Sequence, residues 1–585
     1  MKLTALGIFL IVVSGVFAGC KSDPPDPPDP PAAKPQLSAA HGVVSVLTQH
    51  NDNARTGQNL RETILRPSNV NVASFGQLGK LPVTGGVDAE PLYVPQLMIA
   101  GAARDVLYVA TEHGMVYAFD ADALGPPLWQ ASVIPAGEVP SDDQNCAQVT
   151  PEIGITATPV IDTHAGPNGA IFVVAMSKDS VGKYHQRLHA LDLVTHAELN
   201  GGPVEIQASY ASLSGPIAFD PRQYEARSAL LLVNGQIYVG WSSHCDAWPY
   251  TGWIMSYSES TLRQTSVLNL TPNGSAGAIW MSGGGMAADS AGNVFLLDGN
   301  GTFDSKLDAA GMPVNGDFGN AFLKLSAKAK GNALRVADYF APHDTVLNSN
   351  QDRDLGSGGL LLLPDLKDDR GITRHLAVGA GKADFITGRA IIYVVDRDAM
   401  GKFNPHNDRA IYQRVTEGLG GVDGVFALPA YFNNTVYYGA QGDYLKAFPI
   451  SCAKLASRAA SHSPTKFDYP GATPSISADG AADGIVWAVE AATPGVLHAY
   501  DAANLANELY NSNQASGGRD QFVENKFITP MIANGKVYVG TPDSVAVFGL
   551  LNNTDGGLSR ESHPNRRRTF AAARYNLFAR NSPSQ

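Results

Sequence analysis

Short apolar runs recur along the chain from about residue 89 to residue 550, each bounded by turn residues. Within a run the apolar positions are successive, a pattern typical of strands that are covered on both faces. Each run is followed by a second strand, which often ends in Ala-x-Asp or a related sequence. Helical periodicity is nearly absent, so the pattern predicts an all-β fold. The first strands of the pairs are residues 106–109, 170–173, 236–239, 293–296, 376–378, 435–438, 484–487 and 536–539.

Repeats at this spacing are typical of a propeller or a solenoid. Short antiparallel sheets stacked around an axis cover both faces of each strand and leave few free edges. We predict a β-propeller of about eight four-stranded antiparallel blades over residues 41–551, and prefer it to an open solenoid because the terminal units lack polar caps. The last unit is short of an outer strand, and residues 43–48 are a candidate for it.

Composition agrees with this architecture. The 585-residue chain is 44% hydrophobic and 16% charged, and its 60 glycines and 37 prolines suit many short strands joined by tight turns. The formal net charge of −12 argues against nucleic acid as a partner, because phosphate binding requires a basic surface.

The first 19 residues have the features of a signal peptide. Lys2 supplies the positive charge, and residues 3–17 form an apolar core that is too short to span a membrane comfortably. Residues 17–20, Phe-Ala-Gly-Cys, resemble a bacterial lipobox, in which Leu is usual at the first position. We predict a signal peptide over residues 1–19 and lipidation of Cys20. The alternative is an ordinary secreted protein cleaved nearby.

Two further segments flank the repeats. Residues 20–40 contain repeated Asp-Pro-Pro, which predicts an extended, semi-rigid tether. With the lipid, it would hold an exported protein on a membrane of the bacterial cell envelope. Residues 552–585 carry six arginines against two acidic residues, a net charge of +4, and lack an apolar pattern, which predicts a disordered basic tail.

Export would place the cysteines beyond Cys20 in an oxidising compartment. A disulfide between Cys146 and Cys245 is our preferred pairing. Connectivity cannot be read from one sequence, so the absence of any disulfide stays open as the alternative.

The stretch 280–300 combines a large flat ring, a glycine turn and a polar exit from a strand. Trp280 precedes the glycine run 283–285, and a short apolar strand then leads to Gly299 and Asn300. Together with residues 49–55, 67–70 and 116–121, this stretch resembles the pyrroloquinoline quinone (PQQ) dehydrogenases, an eight-bladed quinoprotein family that oxidises alcohols. The resemblance spans most of the chain after the tether.

The resemblance implies a cofactor site. Trp280 corresponds to the family's tryptophan floor under the quinone, Asn300 to its calcium ligand, and Lys382 to the cation that contacts the quinone oxygens. The chemistry is coherent, since a quinone stacks on a flat apolar wall, calcium takes oxygen ligands, and a cation polarises the reactive carbonyl. PQQ and calcium are therefore the expected cofactors.

The chain also departs from the family pattern. The vicinal cysteine pair is missing, because Ala147 follows Cys146. The acidic calcium ligand has no clean match, and Asp179 is the nearest candidate. The family's catalytic aspartate aligns with Leu347, so we consider as bases Asp344, in a Pro-His-Asp segment similar to the family's, and Asp354, which would require a loop shift.

Each of these residues also has a simpler interpretation. Trp280 would be a packed core residue, Asn300 a turn residue and Lys382 a surface lysine. The sequence His244-Cys245-Asp246 has metal-ligand residue types, but adjacent residues of a strand point in alternate directions and no second cluster lies at ligand spacing. We predict no metal there.

Two functions follow. The missing cysteine pair and base favour a non-catalytic propeller with a degenerate quinone site, which would bind a protein, a glycan or a small molecule at the envelope. The retained Trp280, Asn300 and Lys382 favour a PQQ- and calcium-dependent oxidoreductase acting on an alcohol or a similar small substrate.

Overall fold

The computed structural model describes residues 44–326, 333–420 and 423–551. The predicted signal peptide, Cys20, the tether over residues 20–40 and the basic tail therefore lie outside the described residues. The described part forms eight antiparallel sheets of four main strands each, which follow one another along the chain as blades 1 to 8. The prediction of an eight-bladed, all-β propeller is confirmed.

The four main strands of each blade pair in order from the first to the fourth. In blades 1 to 4 they are Leu92–Ile99, Ala102–Ala110, Met115–Asp120 and Trp129–Ser132; Val160–Asp162, Ala170–Lys178, Tyr184–Asp192 and Val204–Glu205; Leu231–Val233, Gln236–Gly240, Trp253–Ser258 and Gln264–Asn269; and Ala287–Ala288, Val294–Leu297, Phe322–Ser326 and Arg335–Ala341.

Blades 5 to 8 repeat the arrangement. Their main strands are Leu360–Leu362, Leu376–Gly379, Ile392–Asp396 and Gln413–Val415; Ala430–Phe432, Thr435–Gly439, Asp443–Ser451 and Ser461–Phe467; Ser475–Asp479, Ala482–Glu490, Val496–Asp501 and Glu508–Asn511; and Met531–Ala533, Lys536–Gly540, Ser544–Leu550 and Phe75–Pro82.

The apolar runs that predicted the fold lie in the second strand of each blade. In blades 4 and 5 all four residues of Val294–Leu297 and Leu376–Gly379 are buried. Neighbouring blades cover both faces of such a strand, which is why apolar residues are successive and not alternating. Burial of these runs between blades contributes to the hydrophobic core.

Turn chemistry fixes some of the hairpins locally. Asn234 and Gly235 join the first two strands of blade 3 with φ values of 52° and 70°, and Asn534 and Gly535 do the same in blade 8 with 49° and 77°. A two-residue turn of this kind requires positive φ at both positions, which Asn and Gly tolerate best. The sequence thus sets strand register at these turns.

An N-terminal strand completes blade 8. Phe75–Pro82 pairs antiparallel with Ser544–Leu550 and supplies the outer strand. Our expectation that residues 43–48 supply it is wrong, since Val46 makes only an isolated bridge to Tyr93 of blade 1. The true strand contains two glycines and alternates weakly between buried and exposed residues, so it has no apolar run. Strands from the N-terminal and C-terminal parts of the described chain therefore share one blade, which closes the ring.

The remaining elements are short. The α-helix is Thr345–Asn350, and the 3-10 helices are Met281–Gly283, Leu355–Ser357, Ser512–Gln514 and Ser516–Gly518. No helix among the described residues is long and apolar enough to cross a membrane. The additional short strands are Gln58–Asn59, Val139–Asp142, Glu152–Ile153, Ser209–Tyr210, Ile217–Ala218, Tyr224–Glu225, Ser242–Ser243, Leu366–Lys367, Thr373–Arg374, Lys402–Phe403 and Lys454–Leu455.

Candidate functional site

A cavity of about 240 Å³ opens at one end of the propeller. In a four-stranded antiparallel blade, the connection to the next blade and the connection between strands 2 and 3 lie at the same end. Seven successive blade-to-blade connections each give a residue to the cavity wall, and strands 2–3 connections add three more. The residues from the blade-to-blade connections are Gln148, Arg227, Trp280, Asp354, Phe426, Tyr469 and Phe527, and those from the strands 2–3 connections are Cys245, Asp246 and Lys382.

Trp280 lines the cavity from an unusual turn. The three residues after it, Met281, Ser282 and Gly283, have positive φ values of 40°, 52° and 82°. Two of these are not glycine, so the turn carries backbone strain, which persists only where the surroundings fix it. Met281 is fully buried, and the Ser282 hydroxyl donates to the Ser357 carbonyl at 2.5 Å. The indole is therefore held at the cavity wall by blades 3 to 5.

The glycine run after this turn does not offer free backbone N–H groups. The N–H groups of Gly283 and Gly284 donate to the carbonyls of Trp280 and Met281, and that of Gly285 donates to Gln49. A methyl group at Gly285 would lie 2.3 Å from the Arg55 guanidinium. Gly284 and Gly285 are therefore required for close packing, against Leu428 and Arg55.

Lys382 and Asp354 form an ion pair at the cavity. Lys382 Nζ lies 2.6 Å from Asp354 Oδ2 and 2.8 Å from Asp352 Oδ1. The Asn300 backbone N–H donates to Asp354 Oδ1 at 2.6 Å, and its side-chain amide donates to Asp352 Oδ1 at 2.9 Å. A methyl group at Gly299 would lie 2.8 Å from Trp280 Cδ1 and 2.9 Å from Asp354 Oδ1, so this glycine permits their close approach.

The ion pair between Lys382 and Asp354 influences the protonation state of both side chains. Burial alone would lower the pKa of Lys382, but the two carboxylates outweigh it and raise this pKa. Burial raises the pKa of Asp354, and Lys382 offsets part of that rise. Lys382 is therefore a firmly protonated cation with one buried carboxylate and one exposed carboxylate beside it, and not an isolated surface lysine.

The corner around Asn300 supplies only part of a calcium site. Asn300 Oδ1 and Asp298 Oδ2 are buried and accept no hydrogen bond from any described residue, which suits an oxygen awaiting a cation. However, residues 44–326, 333–420 and 423–551 hold no group of three His, Cys, Asp or Glu side chains arranged for a metal. Calcium takes six to eight oxygens, so these side chains do not make its shell.

A disulfide forms the opposite side of the cavity. Cys146 and Cys245, 99 residues apart, are joined as predicted. Cys245 and its neighbour Asp246 lie in a turn with φ values of 46° and 55°, after the strand Ser242–Ser243, so our assumption that residues 244–246 are on a strand was wrong. Both residues reach the cavity, whereas His244 is buried with neither ring nitrogen hydrogen-bonded to a described residue.

Four predicted site residues do not line this cavity: Asn300 and Cys146, which contact residues of its wall, and Asp179 and Asp344. Asp179 is at the tip of the blade 2 hairpin and binds His185 and the backbone of Val181 and Lys183. Its strands are nine residues long, against four or five for the corresponding strands of blade 5, so the tip extends beyond the wall. Asp344 is buried at the start of the α-helix, where burial and the Asp384 carboxyl raise its pKa to about 7.

Sequence reasoning missed the aromatic and basic side of the cavity. Arg227 lies 4.5 Å from the ring centre of Phe527, and Tyr469 makes edge-on contacts with Phe426 and Phe527. These residues come from three or more different blade connections, which no local pattern links. The sequence held one signal for these residues, which is their position: each of them lies a few residues before the first strand of a blade.

Comparison with known proteins defines the fold. No protein-family model and no curated protein sequence match the chain. The structure is similar to quinohemoprotein alcohol dehydrogenase ADHIIG from Pseudomonas putida HK5, with a TM-score of 0.57 and 14% identity over 90% of this chain and 82% of that one. It is also similar to a europium-containing methanol dehydrogenase, with a TM-score of 0.51 and 14% identity over 87% of this chain and 98% of the other.

The class that emerges is an eight-bladed propeller with the fold of the quinoprotein alcohol dehydrogenases. At 14% identity the likeness concerns the fold, and the site must be argued from its own residues.

Proposed function

We propose that this chain is a quinone-dependent oxidoreductase that binds PQQ in the cavity and oxidises a small alcohol. One observation carries the proposal. Trp280, Asp354, Lys382 and the disulfide partner Cys245, which are far apart in sequence, line one cavity of about 240 Å³.

The cavity wall suits a flat, anionic, aromatic ligand. Trp280, Phe426, Tyr469 and Phe527 provide apolar ring surface on which a planar cofactor can stack. PQQ carries carboxylates, and two cations, Lys382 and Arg227, face the same space. When bound, the quinone supplies the two-electron acceptor for alcohol oxidation.

Among the two aspartates considered as bases, only Asp354 lines the cavity. Both of its oxygens are occupied, one by Lys382 Nζ at 2.6 Å and one by the Asn300 N–H at 2.6 Å. In the proposed enzyme Asp354 fixes the position and charge of Lys382, and Lys382 donates to an electronegative oxygen of the cofactor. No step is assigned to calcium, because the side chains present do not complete a calcium site.

The contacts that Asp354 already makes with Lys382 and Asn300 also favour a second function, which is ligand binding without catalysis. If no carboxylate in the cavity accepts a proton, the protein would bind its ligand without oxidising a substrate. It would then hold a quinone, another small molecule, a glycan or a protein at the envelope.

The experiment is reconstitution of the purified protein lacking its lipid. PQQ is added with and without calcium, and quinone absorbance and dye-linked alcohol oxidation are measured. Stoichiometric binding with turnover supports the enzyme. Binding without turnover supports the non-catalytic propeller, and a folded protein that does neither contradicts both uses of the cavity for a quinone.

We also propose that the protein is exported and anchored in the bacterial envelope through lipid on Cys20. The basis is the sequence of residues 1–40, with its lipobox-like site and its proline-rich tether. In a bacterial host the protein should incorporate labelled fatty acid and sediment with membranes. The Cys20→Ala variant should lose the label and the membrane association, and a variant that keeps both would contradict the anchor.

A further inference from the structure

A second carboxylate reaches the cavity and has no part in the function proposed so far. Asp246 lines the wall beside Cys245, in the turn that the disulfide fixes to Cys146. The backbone of this turn is closed by a hydrogen bond from the Ala247 N–H to the His244 carbonyl at 2.9 Å. The carboxylate is therefore attached to a constrained segment and not to a free loop.

One oxygen of Asp246 is fixed and the other is open. The Tyr250 hydroxyl donates to Asp246 Oδ1 at 2.6 Å. Tyr250 is buried, and burial together with the Asp246 carboxylate raises its pKa far above the ordinary value, so the hydroxyl stays a donor. Asp246 Oδ2 takes no hydrogen bond and no ion pair from any described residue. It is the oxygen with which an incoming ligand can bond.

Asp354 provides the comparison on the same cavity. Its two oxygens each hold a charge-assisted or backbone hydrogen bond of 2.6 Å, with Lys382 and with Asn300. The adjacent Lys382 cation favours the ionised form of Asp354 and so weakens it as a proton acceptor. Asp246 accepts a hydrogen bond from the neutral Tyr250 hydroxyl and forms no ion pair with any described residue, so no paired cation opposes the transfer of a substrate proton to it.

We propose that Asp246 is the residue that binds the substrate hydroxyl and takes its proton, and that Asp354 is a positioning residue for Lys382. This inference rests on the proposed oxidoreductase function. In the step, the substrate O–H bond breaks, its electron pair stays on the oxygen, and the proton passes to Asp246 Oδ2. A bound quinone would supply the acceptor for the hydrogen that leaves carbon with its two electrons, and the substrate would become a carbonyl compound.

The arrangement also defines the substrate. The charged groups that share the cavity with Asp246 are Arg227, Asp354 and Lys382, and Tyr250 supports Asp246 from its own turn. The remaining wall is aromatic. An alcohol whose hydroxyl bonds to Asp246 would place its carbon skeleton against these rings.

The test compares three variants of the reconstituted protein. Asp246→Asn keeps the size and the acceptor oxygen for Tyr250 but cannot take a proton. The dissociation constant for PQQ should stay within about twofold of the parent's value. The kcat should fall about 100-fold or more, and the acid limb of its pH profile should disappear. Tyr250→Phe should lower kcat less. Asp354→Asn should keep the acid limb, although it weakens cofactor binding by releasing Lys382.

The outcomes separate this inference from the proposed function. If the parent protein binds no PQQ, the proposed function fails and the role of Asp246 fails with it. If the parent binds PQQ and oxidises alcohols, but Asp246→Asn turns over normally, the role of Asp246 is refuted. Loss of the acid limb in Asp354→Asn, with its retention in Asp246→Asn, would assign the base to Asp354.

Discussion

The two sides of the cavity are held together by different means. One side, which we call the strand wall, is lined by Trp280, Asp354 and Lys382, and it is fixed by the ion pair and by a hydrogen bond from the Asn300 N–H to Asp354. The other side, the disulfide wall, is lined by Cys245 and Asp246, and the covalent bond from Cys245 to Cys146 fixes it. The residues of the strand wall were predicted from the sequence as candidate site residues, whereas Asp246 of the disulfide wall was not.

The two walls differ in how far their residues can be predicted from the sequence. Residues of the strand wall lie at strand ends or in turns with their own local signals, such as glycine runs. Residues of the disulfide wall lie in connections whose position depends on a partner 99 residues away.

The largest expected effect comes from removing the disulfide wall's bond. The double variant Cys146→Ser, Cys245→Ser should lower the free energy of unfolding by about 4 kcal/mol, since the bridge closes a long loop in the unfolded chain. Asp246 should also lose its fixed position. Denaturant unfolding of the variant, compared with the parent before and after reduction, measures the loss. An unchanged midpoint would show that the bridge does not hold this wall.

The next effect concerns the strand wall. Lys382→Met leaves the buried Asp354 carboxylate without its cation, and breaking a buried pair in this way should cost about 3 kcal/mol of unfolding free energy. Asp352→Asn is the matched control, because its carboxylate is 66% exposed and should contribute no more than about 0.5 kcal/mol. Chemical denaturation of both variants gives the comparison. Equal losses would mean that the buried pair does not hold the strand wall.

Much of the fold could be predicted, because apolar runs in the second strands report burial on both faces directly. The outer strand of blade 8 could not, since Phe75–Pro82 gains its place from pairing with Ser544–Leu550 and not from an apolar pattern. At the site, Trp280, Lys382 and Asp354 were proposed from resemblance and line the cavity.

The rest of the site depends on long-range packing. Arg227, Phe426, Tyr469 and Phe527 meet only because the propeller closes, and one sequence has no periodicity that brings them together. Asp179 was misplaced because the length of its hairpin, and not its residue type, decides where the carboxylate lies. Asp246 was considered only for a metal, since its turn conformation could not be seen.

A pH-dependent effect concerns Glu90, a buried carboxyl that accepts a hydrogen bond from the His50 N–H. Burial raises the pKa of Glu90 to about 8, from an ordinary value near 4.5, so the folded protein holds a proton that the unfolded chain has lost. Glu90 thus contributes stability at low pH that is lost as the pH rises through about 8, by at most about 1.4 kcal/mol per pH unit. Glu90→Gln should flatten this fall in unfolding midpoints measured between pH 5 and pH 8. An unchanged slope would assign the fall to other groups, such as Glu225, whose pKa burial raises to about 7.

The central claim is that a flat quinone stacks on Trp280 in the cavity of about 240 Å³. A PQQ titration followed by tryptophan fluorescence tests this claim most directly. The protein has six tryptophans, so Trp280→Phe identifies the contribution of this one while keeping an aromatic surface. We predict saturable one-to-one quenching in the parent, with the quenched component absent and the affinity only modestly reduced in Trp280→Phe. Trp280→Ala should weaken binding by about tenfold or more, as expected for loss of a stacking contact. Equal quenching in the parent and in Trp280→Phe, or no saturable binding by the folded parent, would contradict the account.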